Sequence, residues 1–75
     1  MARPPILDIP ISDAPIRLGQ FLKLAGLAEH GAHAKELLEE GEVQVNGRPE
    51  TRRGAQLQAG DVVSVSGHRA RPVMA

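Results

Sequence analysis

The sequence predicts an α+β fold: two short helices packed on a small, mostly antiparallel sheet that contains an Asn-Gly hairpin. Four adjoining observations carry this prediction. Ala34, Leu37 and Leu38 recur at i, i+3 and i+4, one apolar stripe of a short helix. Gly41 stands where a helix C-terminus needs a left-handed residue, and glycine has no Cβ to clash there. Val43 and Val45 then alternate with Glu42 and Gln44, the period of a half-buried strand. Asn46-Gly47 follows at once, the dipeptide that best tolerates positive φ at both centres of a type I′ hairpin turn.

The remaining elements fall around this unit. Residues 1–14 are expected as an extended N-terminal lead-in, with a short strand at Ile6–Ile11 that Pro10 confines to a sheet edge. Ser12 to Pro15 reads as a turn. Leu18, Phe21, Leu22 and Ala25 recur at i, i+3, i+4 and i+7, an amphipathic helix closed by Gly26. Arg17, Gln20 and Lys23 lie off its apolar stripe, on the solvent side. Leu27 to His33 joins the two helices. After the hairpin turn, Arg48 to Arg53 is expected to return as the second strand, at an edge because Pro49 lacks an amide donor. Gly60-Asp61 marks another turn, leading into Val62 to Ser66 with Val63 and Val65 facing inward. Residues 68–75 are expected as a tail, which leaves 15–67 as the folded domain.

Seventy-five residues make one small domain with a modest core, and one Phe with no Trp or Tyr makes that core aliphatic. A platform of aromatic rings for stacking single-stranded bases is therefore nearly excluded. With no cysteine, neither a disulfide nor a thiolate zinc site can staple the chain. The opening Met1-Ala2-Arg3-Pro4-Pro5 lacks the apolar run of a signal peptide, and no stretch reaches the roughly 20 apolar residues of a membrane span. A cytoplasmic protein with no membrane partner is expected. The net charge is zero, but it is unevenly spread: residues 1–42 carry four Lys/Arg against seven Asp/Glu, and residues 43–75 carry five against two. The hairpin half should thus present a basic face.

Little in the chain points to catalysis, and no enzyme is predicted. No serine sits in a nucleophile pattern, and there is no Walker-type glycine loop. Glu36, Glu39, Glu40 and Glu42 have the spacing of a solvated helix face, with Lys35 four residues from Glu39. His30, His33 and His68 follow no metal-ligand motif, so neither a metal nor another cofactor is expected. The start of the second helix is more suggestive. Its free amides and dipole favour an anion, and His30, Gly31 and His33 stand beside them, although plain capping accounts for the same residues. Together with Lys23, Lys35, Arg48, Arg52 and Arg53, this end of the molecule has the composition of a phosphate-binding surface suited to folded RNA, which is read by shape and backbone contacts.

The same residues resemble the S4 RNA-binding domain: Ile16-Arg17-Leu18 with Phe21-Leu22, then Ala34-Lys35, Leu38, Gly41, Val43, Val45-Asn46-Gly47, and Gly60-Asp61-Val62-Val63. The likeness runs over roughly residues 15–66. Leu22-Lys23-Leu24, Gly26, Glu29, Gly31-Ala32, Ala34-Lys35, Glu50-Thr51-Arg52 and Gly67-His68 are similar to the small, stand-alone bacterial group called YbcJ-like. The resemblance implies an αL motif, two helices on a small sheet, with structured RNA (ribosomal or transfer RNA, or a ribonucleoprotein such as the ribosome) gripped by the second helix's N-terminus and the hairpin. The residues it implies for RNA contact are Lys23, Gly31, His33, Lys35, Asn46, Gly47, Arg48, Arg52 and Arg53, in a protein expected to be monomeric.

Two departures from the family pattern stand out. His30-Gly31 replaces the usual Ser-Arg or Ser-Gly before the second helix, exchanging a capping hydroxyl for an imidazole. Gly54-Ala55-Gln56 replaces the basic residues that usually follow Arg53, which predicts weaker RNA affinity and a flatter salt dependence. Two alternative readings remain. One is an S4-fold protein-docking module without RNA binding. The other rests on Val43, Val45-Asn46-Gly47 and Leu57 with Gly60-Asp61-Val62-Val63, which also resemble the C-terminal half of β-grasp sulfur carriers. Those carriers require a C-terminal Gly-Gly, and this chain ends Val73-Met74-Ala75.

Overall fold

Two helices cover one face of a five-stranded mixed sheet in the computed structural model, which describes residues 5–75. In chain order the elements are β1 (Ile6–Ile11), β2 (Ile16–Arg17), α1 (Leu18–Leu24), α2 (Gly31–Glu39), β3 (Val43–Val45), β4 (Arg48–Pro49), β5 (Gln56–Leu57), β6 (Val63–Val65) and β7 (His68–Met74). The main sheet has the order β1-β7-β6-β3-β4, and β2 with β5 forms a separate two-stranded ladder. Every pairing is antiparallel except β1 with β7.

Both helices end as their glycines predict. Gly26 and Gly41 each have φ of +74°. The amide of Gly41 donates to the Leu38 carbonyl and that of Glu42 to the Leu37 carbonyl, while Gly26 and Leu27 make the equivalent bonds to Lys23 and Leu22. These are Schellman closures, which satisfy carbonyls left over at a helix end. The hairpin turn is also as predicted, with Asn46 at φ +52° and Gly47 at +81°.

The core gathers the apolar stripes. Leu18, Phe21 and Leu22 of α1 and Ala34 and Leu38 of α2 meet Val43, Val63, Val65 and Ala70 of the sheet, and all nine are buried. Strand alternation sends Gln44, Ser64, Arg69 and Arg71 to the opposite face.

Two sequence expectations are corrected, one is extended, and one element was not anticipated. Residues 68–75, expected as a tail, contain β7, which lies between β1 and β6 near the middle of the sheet. Its inward positions are the buried Ala70 and Pro72, weak strand formers that hide the alternation. Pro72 is accommodated because β7 has already parted from β6 after Ala70. The short edge strand expected at Ile6–Ile11 is present, as Pro10 requires, and is registered along its whole length with β7, from Ile6 against Arg69 to Ile11 against Met74. Of the lead-in, residues 1–4 lie outside the described residues. The return strand of the hairpin is two residues long rather than six. Glu50 still donates its amide to Val43, but its carboxylate then accepts the amides of Thr51 and Arg52 and turns the chain away from β3. The ladder of β2 with β5, Ile16 against Leu57, was not anticipated.

Candidate nucleic-acid interface

The segment that leaves the hairpin folds back over the start of α1. Arg17, the N-cap of α1, has extended backbone and makes no side-chain cap, so the helix's first amides need other acceptors. Leu18 donates to the Ala55 carbonyl at 2.8 Å and Gly19 to the Arg53 carbonyl at 2.9 Å. This backbone bolt lays Arg53 and Gly54 beside α1. Gly19 allows the close approach, because a Cβ there would run into the Arg53 side chain.

An open groove of about 540 Å³ results, lined by Arg17, Gly19, Gln20, Lys23, Gly31, Ala34, Arg53 and Gly54. Gly19 and Lys23 are four apart on α1, and Gly31 and Ala34 are three apart on α2, so each helix presents one face to it. Small residues form the floor and three exposed cations, Arg17, Lys23 and Arg53, form the rim. The first turn of α2 opens into the same space through Gly31, adding the positive end of a helix dipole. Lys35 is one turn on from Gly31 along that face, within 3.9 Å of Glu39 in an exposed pair of little energetic weight.

Of the nine residues expected to contact RNA, Lys23, Gly31 and Arg53 line this groove, and Lys35 follows the lining residue Ala34 in sequence. The others are placed differently. His33 borders a second hollow with Ala25, Leu27 and Leu37, and its Nδ1 accepts the Glu29 amide at 3.0 Å. His30 Nδ1 accepts the His33 amide at 3.1 Å, so an imidazole does the capping work of the missing hydroxyl. Asn46 is occupied as a brace: its Oδ1 accepts the Val62 amide at 2.9 Å and its Nδ2 donates to Asp61 Oδ1 at 3.1 Å. Gly47 completes the turn. Arg48 is exposed on the edge strand β4, away from the groove lining.

Arg52 is held by Glu50. Its Nε donates to Glu50 Oε2 at 3.2 Å and its Nη2 to Oε1 at 3.1 Å. The guanidinium and the amide bonds hold the Glu50 carboxyl below its ordinary range, the side-chain hydrogen bond from Arg52 being the largest cause. Arg17, Gly19, Gln20 and Gly54 were not singled out from the sequence. Arg17 was legible as off the apolar stripe, but its role depends on the loop that returns to it. Among the described residues no three His, Asp or Glu side chains converge as a metal-ligand set, and no helix is long and apolar enough to cross a membrane.

Comparison with known proteins matches residues 9–71 to the model of the S4 domain. RlbA of Bacillus subtilis (strain 168), named a probable ribosome maturation protein, is 51% identical over 59 residues, 79% of this chain and 83% of its own length. YbcJ of Escherichia coli (strain K12) is 43% identical over 58 residues, 77% of this chain and 83% of its own. The solution structure of Escherichia coli YbcJ, described as revealing an αL motif involved in RNA binding, superposes with a TM-score of 0.70. That superposition covers 97% of this chain and 94% of YbcJ at 35% identity. A tyrosine–tRNA ligase of Burkholderia lata is 35% identical over 65 residues, which are 16% of the ligase. On the family match and on these relatives, together with two helices set against a mixed sheet, the chain belongs to the S4 domain family.

Proposed function

We propose that this protein is a non-catalytic RNA-binding protein that grips structured RNA through its phosphate backbone. The observation that carries the reading is the convergence of Arg17, Lys23 and Arg53 on the open first turn of α2. Three cations and a helix N-terminus around a floor of glycine and alanine, with Gln20 as a further polar donor, suit a phosphate run. Phe21, the one Phe in a chain without Trp or Tyr, is wholly buried, so no Phe, Tyr or Trp platform is offered to bases and shape with backbone contacts leads the recognition. Arg48 and Arg52 extend the basic surface along the hairpin.

RlbA's name and the description of YbcJ support ribosomal RNA or a ribosomal precursor particle as the target; that the protein acts as a monomer in the cytoplasm is part of the same proposal. The test is a salt titration of binding to a fluorescein-labelled pool of ribosomal RNA hairpins. Three or four phosphate contacts predict a slope of log K against log[salt] of about −2 to −4. The Arg17→Ala/Arg53→Ala double variant should flatten that slope by about 1 to 2. Absence of binding by the wild type at low salt would replace this reading with a protein-docking module. Co-sedimentation with ribosomal particles then separates a ribosomal target from free RNA.

A further inference from the structure

Glu50 is an acid placed among Arg48, Arg52 and Arg53, where a carboxylate should repel the phosphates that the neighbouring cations attract. Its surroundings point the other way. The Glu50 side chain is only 20% exposed, whereas that of its partner Arg52 is 77% exposed. The carboxylate accepts four hydrogen bonds, from the amides of Thr51 and Arg52 and from Nε and Nη2 of Arg52. The pair thus covers its anion and shows its cation to solvent.

The geometry of the guanidinium makes this useful. An arginine offers five N–H donors in a rigid planar fork. Glu50 takes the side edge, formed by Nε and Nη2. The end edge, one hydrogen each of Nη1 and Nη2, is left for another acceptor, and two parallel bonds from such an edge match a phosphate. A free arginine pays rotamer entropy to reach one geometry; here the first pair has already fixed it.

We propose that Glu50 is a positioning residue of the RNA interface, which holds Arg52 by one edge so that the other edge takes a single phosphate. The assignment rests on the RNA-binding reading above. It also accounts for Arg52 lying outside the groove: it supplies a separate contact on the hairpin side of the loop, while Arg53, the next residue, serves the groove.

The experiment is a double-variant cycle on Glu50→Gln and Arg52→Lys, with affinity for the labelled ribosomal RNA hairpins measured at several salt concentrations. Glutamine still accepts the amides of Thr51 and Arg52, so the turn is kept, while the charge-assisted clamp is lost. Thermal melts of each variant check folding. Glu50→Gln is expected to weaken binding about three- to fivefold although it removes a negative charge, the scale of one exposed ion pair. Arg52→Lys should weaken it similarly, because an ammonium has no second edge. The two together should be little worse than either alone. Unchanged or tighter binding by Glu50→Gln, with the wild type binding RNA, would overturn the assignment and make Glu50 a plain competitor of phosphate. Additive losses in the cycle would overturn it too. A wild type that binds no RNA would overturn the RNA reading, and this assignment with it.

Discussion

Gly19 donates its amide to the carbonyl of Arg53 at 2.9 Å, and its missing side chain leaves the space that the Arg53 side chain crosses. A Cβ built on Gly19 would fall well inside contact distance of Arg53 Cγ and 3.1 Å from Cδ. One residue therefore helps hold the loop on α1 and makes room for a groove cation. Gly19→Ala should separate these effects. Alanine improves helix propensity, though by less than the about 1 kcal/mol of a helix interior because Gly19 lies in the first turn, and Arg53 is exposed and can rotate away from the new Cβ. The melting temperature is expected to move by only a few degrees, while RNA affinity falls about threefold as Arg53 leaves the groove. A variant binding as tightly as the wild type would show that Arg53 makes no contact there.

Arg17 and His33 give opposite expectations, one drawn from the groove and one from its far side. Arg17 lines the groove rim, whereas His33 turns back to the Glu29 amide beside the other hollow. Arg17→Ala should flatten the salt dependence of RNA binding by about one unit of slope and weaken binding to all sequences alike. His33→Ala should leave the slope unchanged. Its cost falls on stability, because the Glu29 amide loses its acceptor. Both outcomes can be read from one set of titrations and melts.

Much of this fold was legible because its signals are local. The stripe of Leu18, Phe21, Leu22 and Ala25, the closing glycines and the Asn46-Gly47 turn each lie within a few residues of chain. Strand β7 was not legible, because its buried slots are filled by Ala70 and Pro72, which have poor strand propensity; Ala70 is held by Leu7 and Val63 on its two sides and Pro72 by Ile9 of β1 alone. Strands β2 and β5 have two residues each, too few for any period to show. The candidate site was half legible. Residue type identified Lys23, Gly31 and Arg53, but the groove exists because the backbone carbonyls of Arg53 and Ala55 cap α1, and no side chain announces such a contact.

Asn46 has the residue type of an RNA contact and the bonding of a structural brace. Its side chain satisfies the Val62 amide and reaches Asp61, and its φ of +52° suits few residues other than Gly and Asn. Asn46→Ala loses both bonds and adds left-handed strain, for an expected cost of about 2 kcal/mol. Asn46→Gly loses the bonds but keeps the conformation, for about 1 kcal/mol. The ranking is read from thermal melts, at about 4–8 °C per kcal/mol for a domain of this size. Below the melting range RNA affinity at fixed salt should match the wild type in both variants. Weaker binding would show that Asn46 contacts RNA.

The Glu50 carboxyl gives stability a dependence on pH with a definite sign. In the folded protein its pKa lies below the ordinary value of 4.5, chiefly through the side-chain hydrogen bond from Arg52 and then the Arg52 amide. The unfolded chain therefore takes up the proton first as pH falls. The stabilisation is present in full above the unfolded value. It declines as pH drops from there through the lowered folded value, and below that it is gone. Glu50→Gln resembles the protonated wild type at every pH. The difference in melting temperature between wild type and Glu50→Gln should be constant from pH 7 to about 5.5 and shrink steadily toward pH 3. A difference of the same size at pH 3 and pH 7 would mean that the charge on Glu50 contributes nothing. The effect of the substitution would then come from shape and neutral hydrogen bonds alone.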